Sequence, residues 1–155
     1  MTINRLLALT TLASVFIFAA FVPRAASHQS PSTEDSVPAF HDGPPQGELP
    51  ATLSPTLFGS VPVQNAYTLA ARIKKILYQQ PCYCHCDRSV GHTSLLDCFA
   101  SKHGSGCDVC MKEAIYSYEQ SRKGKTAAQI RAGIEQGEWR QVEMAKYQQP
   151  VAASH

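Results

Sequence analysis

All six cysteines lie between Cys82 and Cys110, a 29-residue window of a 155-residue chain, and three of them alternate in Pro81-Cys82-Tyr83-Cys84-His85-Cys86. A thiolate is a nucleophile, an electron donor and a soft-metal ligand. The chemistry open to such a cluster is therefore metal binding or thiol–disulfide exchange. On extended backbone alternate side chains share a face, so Cys82, Cys84 and Cys86 are expected on one side and Tyr83 and His85 on the other. Three sulfurs held that close suit a soft cation or a shuffling disulfide better than a staple.

Cys107-Asp108-Val109-Cys110 adds a C-x-x-C at the expected amino terminus of a helix, where the dipole and free amides favour a thiolate. Cys107 is then the expected attacking thiol and Cys110 its resolving partner. The same spacing also serves half a zinc site or a plain disulfide. Cys82 and Cys86 with Cys107 and Cys110 approach a four-cysteine zinc framework that leaves Cys84 and Cys98 over. Alternatively the trio takes His85 or His92 as nitrogen donor and leaves Cys107 and Cys110 as a redox pair. His103, beside Gly104, is the weaker histidine candidate because it lies further from the trio. The structural alternative is three ordinary disulfides, the commonest meaning of an even cysteine count in an exported chain. Against it, the first and last expected helices carry no cysteine, whereas staples usually join distant segments.

The elements that must position these groups read as helices. Ala66, Leu69, Ala70, Ile73, Ile76 and Leu77 repeat with helical spacing from Asn65, a plausible cap, to a stop at Pro81. Ser94-Leu95-Leu96-Asp97 opens a short helix toward Lys102 that carries Cys98. Ser105 and Asp108 open another, with Met111, Ala114, Ile115 and Tyr118 on one face and a stop at Gly124. Thr126-Ala127-Ala128-Gln129 is a capping box for a last helix with Ile130 and Ile134 inward and Trp139 near its end. No stretch argues for a sheet. The expectation is an all-α, small Cys-rich domain of three to four helices.

Upstream, Arg5, an uncharged run from Leu6 to Val22, and Ala25-Ala26-Ser27 form a secretory signal layout, so residues 1–27 are expected to be a signal peptide or a signal anchor. Residues 28–63 hold seven of the ten prolines and few large apolar side chains, which predicts a disordered Pro-rich linker. The domain is expected over 64–145, with a disordered tail at 146–155. A core of this size is marginal by burial alone, so the sulfur cluster also has a structural role open to it.

The formal net charge of +2 argues against nucleic acid, since the only basic runs are Arg72-Ile73-Lys74-Lys75 and Arg122-Lys123-Gly124-Lys125. Gly124-Lys125-Thr126 is no phosphate loop, because the earlier glycine that loop requires would fall at Glu119. A c-type haem is not indicated, since Met111 follows Cys110 where histidine would be needed.

Pro81-Cys82-Tyr83-Cys84-His85-Cys86, followed by Gly91-His92, Leu95, Cys98-Phe99 and Cys107-x-x-Cys110, is similar to the PCYCGC, or CYCXC, family of exported bacterial proteins over about residues 65–142. This chain carries His85 where many relatives carry glycine. The resemblance implies a small secreted or membrane-tethered domain of unassigned function, in a family that includes selenocysteine-containing members. Reactive or metal-binding sulfur is favoured by that last property, because an inert bridge gains little from selenium.

Together these readings predict an exported domain, periplasmic or extracellular, whose only membrane contact would be an uncleaved signal anchor. It is expected to bind a soft or borderline metal ion (copper, zinc or mercury) through Cys82, Cys84, Cys86, Cys98, Cys107 and Cys110, with His85 or His92 assisting. The alternatives are a thiol oxidoreductase with a redox partner protein and a disulfide-stapled module.

Overall fold

Apolar side chains at Ala66, Leu69 and Ala70 give the first helix one buried stripe, and Pro62 in its first turn fits where a backbone N–H would be unpaired anyway. The computed structural model describes residues 36–152. It contains helices α1 (Val61–Arg72), α2 (Lys74–Leu77), α3 (Cys86–Ser89), α4 (Leu95–Ala100), α5 (Asp108–Arg122) and α6 (Ala127–Glu135), with no strand among the described residues. Short 3-10 turns cover Pro55–Leu57, His103–Gly106, Glu138–Gln141 and Met144–Tyr147. No described helix is long and apolar enough to cross a membrane.

The all-α expectation holds, with six helices among the described residues in place of three or four. The expected first helix starts earlier, at Val61, and breaks at Ile73, whose backbone leaves helical geometry at φ −126° and ψ 31°. The break lets both Ile73 and Leu77 reach the core. Pro81 then ends the run as expected, and the amide of Leu95 donates to Gln80 O at 2.9 Å, tying the start of α4 to the residue before Pro81, two positions ahead of the cysteine trio. The α6 capping box forms in full, Gln129 N to Thr126 Oγ1 at 3.3 Å and Thr126 N to Gln129 Oε1 at 2.9 Å. Trp139 lies in the turn after α6, beyond Gly137 at φ 76°.

α1 packs chiefly on α5, and α4 and α6 close over the remaining sides. Tyr67, Leu69, Leu77, Leu95, Phe99 and Ile115 are fully buried between them. Burying each large side chain is worth roughly 1.5–3 kcal/mol, so this small core is the main source of rigidity beneath the cysteines. The Tyr67 hydroxyl donates to Ser101 O at 2.7 Å and its ring meets Phe99 edge-on, which fixes α1 against the end of α4.

Residues 36–60 depart from the expected disordered linker. Pro38 is buried, Ala39 N donates to Asp87 Oδ2 at 3.1 Å, His41 stacks on Tyr78 and Leu53 N donates to Phe99 O at 2.9 Å. Leu49, Leu53 and Phe58 supply apolar anchors in this strap, and its prolines lower the entropy lost on ordering. The tail differs likewise: residues 147–151 are held by Asn65, which lies inside α1 and does not cap it. The signal segment at 1–27 and the linker's first residues, 28–35, lie outside the described residues.

Candidate metal centre

The trio is not extended. Cys82 to His85 forms a turn, closed by His85 N to Cys82 O at 3.0 Å, and His85 adopts left-handed backbone at φ 54° before Cys86 opens α3. The sulfurs nevertheless converge, because the turn faces α4 and α5. Cys82, Cys84 and Cys110 form a triangle with Sγ separations of 3.3, 3.4 and 3.6 Å. His103 Nε2 stands 3.5 Å from Cys84 Sγ. Beside it lies a second triangle, in which Cys86 and Cys98 are 3.5 Å apart and His92 Nδ1 is 3.2 and 3.3 Å from them. The two are contiguous: the sulfurs of Cys82, Cys84, Cys86 and Cys98 all lie within 4.8 Å of one another, as do the ligand atoms of Cys84, Cys98, His103 and Cys110.

All six cysteines are free thiols. Sulfurs arranged tetrahedrally about 2.3 Å from one ion would lie about 3.8 Å apart, so the observed spacing is near what a shared metal requires. The cluster could hold a metal ion.

Its electrostatics concentrate charge at one corner. Thiol hydrogen bonds, from Cys110 first and then Cys82, Cys86 and Cys98, hold the half-buried Cys84 well below the ordinary thiol range. The donors rise in exchange: Cys82 through its bonds to Cys110 and Cys84, Cys86 through Cys82 and Cys84. Cys98, bonded to Cys110 and Cys82, rises as well. Burial, helped by the nearby His103, pushes His92 toward its neutral form, the state in which an imidazole nitrogen can ligate.

Several groups hold this arrangement in place. Glu113, fully buried on α5, accepts the Tyr83 amide at 3.0 Å and so fixes the backbone between Cys82 and Cys84. Burial raises its carboxyl to about 8, and its second oxygen has no partner in the protein. Gly104 lets the His103 turn approach α4: a Cβ there would lie 3.0 Å from Cys98 O and 3.3 Å from both Phe99 and the Tyr67 hydroxyl. Pro38 and Ala39 pack over Cys86 and His92, leaving no room for a water molecule. By contrast, the cleft of 670 Å³ between residues 45–49 and the α1–α2 junction is lined by no cysteine or histidine.

Of the residues expected from sequence, Cys82, Cys84, Cys86, Cys98, Cys110 and His92 come together. Cys107 and His85 belong to neither convergent set. Cys107 is the N-cap of α5, and desolvation pushes its thiol up despite hydrogen bonds from Cys110, opposite to the lowering expected from the helix dipole. The four-cysteine framework of Cys82, Cys86, Cys107 and Cys110 is therefore not the grouping found; Cys110 joins Cys82 and Cys84, while Cys86 pairs with Cys98. His103 and Glu113 gain the importance that sequence did not give them. The glycine after His103 was the available signal for the first, and a glutamate one helical turn beyond Cys110 for the second.

The sequence model of one family, described as a protein of unknown function with PCYCGC motif, matches residues 48–150. The chain belongs to this family. PCYCGC describes Pro81 to Cys86 with one exception, since His85 replaces the motif's glycine at the left-handed position. The match begins at residue 48, within the strap, in keeping with that segment's packing on the helices. No curated protein and no solved structure matches the chain.

Proposed function

We propose that this PCYCGC protein is an exported domain that binds a soft or borderline metal ion, copper, zinc or mercury, through its clustered thiols. Cys82, Cys84 and Cys110 are the primary ligands, with Cys86, Cys98, His92 and His103 adjoining. The carrying observation is the triangle of three sulfurs within 3.6 Å of one another, drawn from two separate chain segments and backed by a rigid core. A nest with one favoured thiolate and neighbouring thiols is costly to bury by itself, and a cation offsets that cost. The signal layout at residues 1–27 is what supports export.

Equilibrium dialysis of the reduced protein under anaerobic conditions, against cuprous, zinc and mercuric ions in turn, tests the reading. At least one equivalent should remain bound and the melting temperature should rise. Replacing Cys84 by serine should weaken retention by at least about tenfold. A protein that retains no ion, and whose melting is unchanged by all three, refutes it. If that protein instead forms a Cys84–Cys110 or Cys84–Cys82 disulfide under mild oxidant, thiol exchange takes its place; Cys84, held below the ordinary thiol range beside two further thiols, is what favours that second reading.

A further inference from the structure

Seven donors meet in this nest, and one ion cannot use them. An ion held by Cys82, Cys84 and Cys110, even with His103 as a fourth ligand, leaves Cys86, Cys98 and His92 as a complete second triangle with separations of 3.2 to 3.5 Å. Cys86 and Cys98 are buried, and their sulfurs lie within 4.8 Å of those of Cys82 and Cys84. Two zinc ions would each seek four donors, eight contacts that seven donors supply only if a sulfur bridges, whereas two ions content with three donors need six and are satisfied without sharing. Soft thiolates also favour a monovalent cuprous ion, which is stable with three ligands.

We propose that the nest is a two-ion centre for cuprous copper, one ion in the Cys82–Cys84–Cys110 triangle and the other in the Cys86–Cys98–His92 triangle. This rests on the metal-binding reading above and specifies its cargo and stoichiometry. Cys84 and Cys98 occur in both convergent sets, which makes them the sulfurs placed to bridge the ions. His103 stands by Cys84 as a reserve donor, with its ring 5.1 Å from that of His92. Binding replaces S–H bonds by S–Cu bonds; each ligating thiol releases its proton to solvent, and copper remains cuprous, so no electron moves. Partly exposed Cys84, His92 and His103 form the outer edge of the nest, and buried Cys82, Cys86, Cys98 and Cys110 form its floor.

The test is an anaerobic titration of the reduced protein with cuprous ion against a chromophoric cuprous chelator, with X-ray absorption on the loaded sample. Two equivalents and a short copper–copper vector are expected. One equivalent overturns the two-ion centre and leaves the metal-binding reading standing, whereas none overturns the cuprous centre and leaves the metal-binding reading to be decided by the zinc and mercuric dialysis. His92→Ala, a change at a half-exposed position, should weaken the second equivalent by at least about tenfold and leave the first unchanged. Equal weakening of both equivalents would overturn the assignment of the ions to separate triangles. The wild-type stoichiometry decides the matter even if the variant folds poorly.

Discussion

His85 is the one non-glycine residue with positive φ among those described, and it stands where the family motif has glycine. Left-handed backbone costs a side-chain-bearing residue about 1–2 kcal/mol, whereas glycine adopts it freely and loses about 0.5–1 kcal/mol to its greater unfolded-state freedom. The balance favours glycine, and the buried, unpartnered Nδ1 of His85 adds to the cost of the histidine. His85→Gly should therefore stabilise the protein by up to about 1 kcal/mol in a denaturant titration, with metal stoichiometry unchanged. A lost equivalent of metal would make His85 a ligand after all. The convergence of Cys82, Cys84 and Cys86 was legible in their spacing, yet the route was not. Alternation on a strand and a left-handed turn both bring the sulfurs to one side, and only the fold distinguishes them. Similarly, the C-x-x-C spacing made Cys107 conspicuous and Cys98 incidental. Spacing along the chain carries no information on which of α4 and α5 meets the turn.

Elements that announce themselves by local chemistry were readable, and those fixed by packing were not. The Thr126–Gln129 capping box and the stop at Gly124, φ 81°, depend on residues within one turn, and both form as read. The break at Ile73 and the single turn of α3 depend on what lies beneath them. So does the approach of α6 to α5, where a Cβ at Gly133 would fall 1.9 Å from the Tyr116 hydroxyl and 2.9 Å from Glu138 Oε2. That hydroxyl donates to Glu138 Oε2 at 2.5 Å, so it cannot turn away without losing its partner. Alanine favours a helix over glycine by about 1 kcal/mol, but forcing apart a packed contact costs about 1–3 kcal/mol. Gly133→Ala should accordingly lower stability, and the loss should shrink in a Tyr116→Phe background, a non-additivity that a double-mutant cycle measures. A neutral or stabilising Gly133→Ala would place α6 farther from α5.

At the scale of the molecule, fold class and the location of the sulfur-rich domain were legible, because helical periodicity and cysteine clustering are strong signals. The extent of the domain was not: proline content and low hydrophobicity masked a strap and a tail that both pack on the helices. A small domain commonly closes its ends with a disulfide, but here every cysteine is gathered at the centre. Asn65 closes them instead. Its amide donates to Tyr147 O and Gln149 O, each at 2.8 Å, and its carbonyl oxygen accepts from Val151 N at 2.9 Å, joining residues more than 80 positions apart. An amide side chain is suited to this because it offers donors and an acceptor together, which also explains why an asparagine read as a helix cap is buried within α1. Each such bond contributes on the order of 1 kcal/mol, so Asn65→Ala should cost about 2–3 kcal/mol and abolish hydrogen-exchange protection at the Val151 amide. Metal stoichiometry should persist, since no ligand belongs to the clamp. Protection at Val151 that survives the substitution would mean that Tyr147, through its hydroxyl bond to Glu119 at 2.6 Å, holds the tail without Asn65.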